Sequence, residues 1–114
     1  VSGDVDGKSV LIIDDIVDTC GSVFSAVESL WEAGAGDIVI AGVHMLLSGP
    51  AWERLADLRA RAAERGCDLQ VVGTSSVVHD EAPDWYHSYA LEPLLAQIVR
   101  RVNTRGSVRA LEDL

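Results

Sequence analysis

The 114-residue sequence has two cysteines, Cys20 and Cys67, and no Cys-x-x-Cys pair. That excludes a disulfide framework and a structural zinc site of the usual spacing, and makes a reducing cytoplasm the expected compartment. Lysine is nearly absent. Lys8 stands alone, and Lys and Arg together number 9 against 18 acidic residues. The formal charge of -9 excludes nucleic acid and anionic membrane surfaces as natural partners. It does not exclude a phosphate ligand, because a helix N-terminus holds phosphate through backbone N–H groups. No apolar run reaches membrane-spanning length, and no signal peptide is visible. There is no internal repeat and no dividing linker, so residues 1–114 are expected to form one domain.

Apolar residues make up 48% of the chain, enough for a core. Val10-Leu11-Ile12-Ile13 is a continuous β-favouring run closed by acids. It predicts a strand buried on both faces. Val23, Ala26, Val27, Leu30 and Trp31 recur at helical spacing, with Gly34 as the stop. Residues 38–43 predict a second buried strand. Ser48-Gly49-Pro50 breaks the chain and starts a helix whose inner face is Ala51, Leu55, Leu58 and Ala62, ended by Gly66. Residues 69–74 predict a third strand, and 75–90 an irregular segment. Leu91, Leu94, Leu95, Ile98, Val99 and Val102 form the cleanest amphipathic stripe. A turn over 103–106 and a short helix capped by Ser107 complete the chain. This alternation predicts an α/β fold, a three-layer parallel sheet flanked by helices with right-handed crossovers.

Ligands of open α/β sheets bind at the carboxyl ends of the strands. Asp14-Asp15-Ile16-Val17-Asp18-Thr19-Cys20-Gly21-Ser22 falls at such an end, between strand and helix. Thr19, Gly21 and Ser22 offer hydroxyls and exposed N–H groups at a positive helix end, which suits a phosphate dianion. Gly21 lets the backbone come close to a ligand. Asp14 and Asp15 repel phosphate and suit ribose hydroxyls, or a Mg²⁺ carried by the substrate. The bland alternative is a plain strand-to-helix cap. Cys20, beside a helix N-terminus, is expected to have a lowered pKa.

The motif of two acids, two residues, then Asp-Thr-Cys-Gly-Ser resembles the signature of the phosphoribosyltransferase fold. Gly3-Asp4-Val5, Ser48-Gly49-Pro50-Ala51, Arg100-Arg101 and Gly106-Ser107-Val108 narrow the resemblance to the ribose-phosphate pyrophosphokinase branch. It spans nearly the whole chain but only the C-terminal part of that enzyme. The chain also opens on Val1 and not on Met, so a longer natural chain is expected. The resemblance implies transfer of diphosphate from ATP to ribose 5-phosphate with Mg²⁺, in a homo-oligomer. It places Asp18, Thr19, Cys20, Gly21 and Ser22 around the 5-phosphate, and Asp14 and Asp15 on the ribose hydroxyls.

In that family the catalytic Lys/Arg loop lies upstream, and no such loop is present in this sequence. The segment alone is therefore expected to hold sugar phosphate weakly and not to catalyse. Two rival readings follow: a non-catalytic regulatory homologue that binds sugar phosphate, and a phosphoribosyltransferase that consumes phosphoribosyl pyrophosphate. Val43 and Met45 flank His44 where the family usually has threonine and glycine. Ser75 replaces a common asparagine, and the second helix looks extended through Arg59 to Arg65. His44 reads as a hydrogen-bonded structural histidine. His79 and His87, among Asp80, Glu81 and Asp84, lack regular metal-ligand spacing. Trp31, Trp52, Trp85 and Tyr86 read as packing or subunit contacts, and Cys67 as a small, partly buried side chain.

Overall fold

The computed structural model describes residues 3–103, the last three through their backbone only. The expected turn over 103–106 beyond its first residue, the Ser107 cap and the side chain of Arg101 lie outside the described residues. Four parallel strands form one sheet in the order β1-β2-β3-β4. They are β1 (Val10–Val17), β2 (Ile38–Met45), β3 (Leu69–Thr74) and β4 (Tyr86–Tyr89). The helices are α1 (Gly21–Glu32), α2 (Ala51–Glu64) and α3 (Glu92–Asn103). The α/β architecture, a parallel sheet with flanking helices, is the one the sequence predicts.

The core lies between the sheet and the α1–α2 pair. Ile38 and Ile40 of β2 and Leu69 and Val71 of β3 point into it from alternate positions. Val23, Val27, Leu30 and Trp31 meet them from α1. Ala51, Leu55, Leu58 and Ala62 meet them from α2, the inner face read from spacing alone. Gly34, at φ 92°, turns the chain out of α1, and a Cβ there would run into the Asp6 carboxylate. At Gly73 a side chain would strike the Tyr86 hydroxyl, which is buried there without a hydrogen-bond partner.

Two expectations need correction. First, β1 is not buried on both faces: Leu11 is 58% exposed and Ile13 71%. Its apolar run is symmetric, but α1 and α2 cover only one side of the sheet. Second, the segment 75–90 is not wholly irregular, since its last part pairs with β3 as β4, Val71↔Tyr86 to Thr74↔Tyr89. The amphipathic stripe falls on a helix, α3, and is largely exposed at Leu94, Leu95 and Val99. The helix is held at its start, where Ser75 Oγ donates to Glu92 (2.8 Å) and accepts from the Leu91 N–H (2.8 Å). No helix among the described residues is long and apolar enough to cross a membrane.

Candidate sugar-phosphate site

The β1–α1 loop closes a pocket of about 200 Å³ at the carboxyl end of the sheet. Asp14, Asp18, Thr19, Cys20, Gly21 and Ser22 all line it, as the sequence brought them together on paper. Asp15 does not line it. Adjacent strand residues point to opposite faces, which places Asp14 and Asp15 on different sides of β1.

The start of α1 is open. Cys20 occupies the cap position without a side-chain capping bond, and among the described residues no side chain is seen to accept from the first turn. The first intrahelical bond runs from the Phe24 N–H to the Cys20 carbonyl (2.9 Å). The N–H groups of Gly21, Ser22 and Val23 therefore have no acceptor within the helix and carry its positive end. The plain-cap alternative predicts a side chain on those donors, and none is found there among the described residues.

The loop is braced from the next loop along the sheet. The Ser48 hydroxyl donates to the Asp18 carboxylate, and the Ser48 N–H donates to the Asp18 carbonyl (3.0 Å). The Leu46 N–H donates to the Val17 carbonyl (2.8 Å). Each loop has one non-glycine residue in the left-handed region, Cys20 at φ 65° and Leu47 at φ 53°. Such backbone costs on the order of 1–3 kcal/mol and persists where surrounding contacts fix it. Both side chains are buried, at 3% and 4% exposure, and anchor their loops.

Burial also reverses the expectation for the Cys20 thiol. It is pushed up to about 11, chiefly by desolvation, with the Arg54 charge acting in the opposite direction. At neutral pH Cys20 is a neutral packing group. Arg54 and Ser48 are the neighbours that sequence reasoning missed. Arg54 Nη1 donates to the Thr19 carbonyl at 2.9 Å across 35 positions of sequence. One signal was available: a cation in the first turn of a helix stands at the unfavourable end of the dipole.

The histidines have protein partners. His44 Nδ1 lies 2.8 Å from Ser76 Oγ, and His79 Nε2 2.6 Å from the Met45 carbonyl. His87 Nε2 lies 3.0 Å from Gln70 Oε1. Trp52 packs edge-on against His79, Trp85 and Tyr86. Among the described residues no three His, Cys, Asp or Glu side chains converge on one point. These residues do not fit a resident metal cage.

Comparison with known proteins decides the family. The model of the phosphoribosyl synthetase-associated domain matches residues 1–111. The chain belongs to the phosphoribosyl synthetase-associated domain family. It is 39% identical over 113 residues to the ribose-phosphate pyrophosphokinase of Mycobacterium tuberculosis, covering 99% of this chain and 33% of that protein. The ribose-phosphate pyrophosphokinase of Helicobacter hepaticus is 37% identical over 111 residues, with 97% and 33% covered. The crystal structure of phosphoribosylpyrophosphate synthetase from Mycobacterium smegmatis superposes with a TM-score of 0.75 at 35% identity. It covers 92% of this chain and 33% of its own. The chain thus spans about a third of the length of the relatives it matches.

Proposed function

We propose that the 14–22 loop binds the 5-phosphate of ribose 5-phosphate, and that the chain is the sugar-phosphate half of a ribose-phosphate pyrophosphokinase site. The observation that carries this reading is the uncapped start of α1 over a polar pocket. Three N–H donors at a positive helix end suit a phosphate dianion. Thr19 and Ser22 add hydroxyl donors. Gly21 keeps the backbone open to close approach. Asp14, at the far side of the loop, accepts hydrogen bonds from ribose hydroxyls and so sets which way the 1-hydroxyl faces. Asp18 shapes the loop through Ser48. Asp15 is assigned to the ribose hydroxyls by family resemblance alone.

The reaction assigned to the family architecture is transfer of diphosphate from ATP to ribose 5-phosphate. Such chemistry needs cations at the migrating phosphoryl groups. Among the described residues lining the pocket there is no Lys or Arg. We therefore assign ATP mainly to parts of the family architecture outside this segment. That lack equally favours a second reading, a homologue that binds sugar phosphate without catalysis. Mg²⁺ fits the site only as a companion of the substrate, since it keeps most of its waters and takes one or two carboxylates. Asp14 is the residue that would meet it, and the ion would neutralise phosphate charge there. A homo-oligomer is the assembly expected on family precedent, and two free thiols fit the cytoplasm.

Titration calorimetry with ribose 5-phosphate tests this reading. The wild-type chain binds, and Asp18→Ala weakens binding at least about tenfold by releasing the Ser48 brace. Equal binding by both chains would overturn the assignment.

A further inference from the structure

The pocket has an electrostatic deficit. Asp14 and Asp18 line it, no basic side chain among the described residues does, and the whole chain carries -9. Backbone dipoles alone would have to hold a dianion against two carboxylates. The missing charge lies behind the loop. Arg54 sits half-buried in the first turn of α2, with Nη1 2.9 Å from the Thr19 carbonyl. The same nitrogen is 3.4 Å from the point where a Cβ on Gly21 would be. Its charge is felt at the Cys20 thiol. It therefore contacts the loop at the Thr19 carbonyl and lies close behind Cys20 and Gly21.

Other arginines of this region have different work. Arg61 pairs with Glu28 and Asp57 at 3.2 and 3.1 Å. Arg59 lies over Trp85 and donates to the Leu69 carbonyl, and Arg65 lies over Trp31. Among the described residues no carboxylate forms a salt bridge with Arg54. Its position opposes the α2 dipole, so the helix gains nothing from it. What it does contact is the carbonyl side of the phosphate loop. A cation at the Thr19 carbonyl polarises the Thr19–Cys20 peptide unit directly and adds positive potential at the neighbouring N–H groups of the helix start.

We infer that Arg54 is a positioning residue for the sugar-phosphate loop: it fixes the Thr19 carbonyl and supplies, from behind, the positive charge that the pocket lining lacks. The inference rests on the reading of the loop as a sugar-phosphate site. Arg54 lies behind the loop and acts on it through the Thr19 carbonyl and through its charge.

The test compares ribose 5-phosphate with uncharged ribose in NMR titrations of wild type, R54K, R54Q, R54M and D18A. R54Q keeps an N–H for the Thr19 carbonyl and loses the charge. R54M keeps the packing of the aliphatic stem, and serves if R54Q does not fold. The expected result is a loss of ribose 5-phosphate affinity of about tenfold in either neutral variant. Ribose affinity stays within about twofold, because a neutral ligand does not feel the charge. R54K retains most of the binding. If the neutral variants bind ribose 5-phosphate like wild type while D18A does not, the role of Arg54 is overturned and the site stands. Equal losses for ribose and ribose 5-phosphate would make Arg54 a structural residue only and overturn the charge role. A wild type that binds neither sugar overturns both readings.

Discussion

Cys20 combines three properties that pull against one another: a left-handed backbone at φ 65°, a buried side chain and a position at a helix start. Helix position alone lowers a thiol pKa, and burial raises it. Here burial wins, because only 3% of the residue remains exposed. The consequence for stability follows from counting protons. Between the ordinary value of 9.0 and about 11 the unfolded chain has lost the Cys20 proton while the folded chain keeps it. Stability is therefore complete below pH 9 and falls as pH rises toward 11. Urea unfolding at these two pH values should show a larger loss for wild type than for Cys20→Ala. Equal losses would mean that the thiol is not held neutral. At this scale the loop residues themselves were legible, because they are contiguous and their types declare their chemistry. Arg54 and Ser48 were not, since they reach the loop from 35 and 30 positions away. No local pattern records a contact of that kind.

The elements divide into those whose surroundings are covered and those whose surroundings are not. Within α2 the periodic stripe found its partner, and Leu55 and Leu58 are fully buried. Leu55→Ala should cost about 2–5 kcal/mol in denaturant unfolding, with no change of fold. Gly73→Ala in β3 should cost about 1–3 kcal/mol, because the new methyl meets the rigid Tyr86 ring and Met45 Cγ at 2.7 Å. A neutral result for Gly73→Ala would mean that β3 and β4 pack more loosely than described. Residues 69–74 could be read as a strand from their short β-favouring composition, and their burial then alternates residue by residue. Tyr86-His87-Ser88-Tyr89 could not: four residues with two polar ones in the middle give no periodic signal, and pairing with β3 alone makes them a strand. The stripe of α3 teaches the converse. Periodicity reports that a helix has an apolar face, not that the face is covered.

Across the whole molecule, cover on one face of the sheet explains why the burial of β1 was misjudged. A run of four apolar residues is equally suited to one buried face or two. The exposed pair makes a prediction that separates this structure from the two-sided expectation. Leu11→Thr and Ile13→Thr should each change the stability of the 114-residue chain by no more than about 0.5 kcal/mol, against several for Leu55→Ala. Large losses would mean that something covers this face in solution. The α/β class was readable from element alternation, and the family from a resemblance that several motifs carry along the chain. The electrostatics of the site came only from the assembled molecule, where acids and one arginine from separate elements meet one loop. The central claim remains that this loop holds a sugar phosphate. Its most direct test follows the backbone amides of the labelled protein by NMR as ribose 5-phosphate is added. Binding at the uncapped helix start predicts the largest shifts at Gly21, Ser22 and Val23, saturating with ligand. Saturating shifts confined to any other part of the molecule, or none at all, would contradict it.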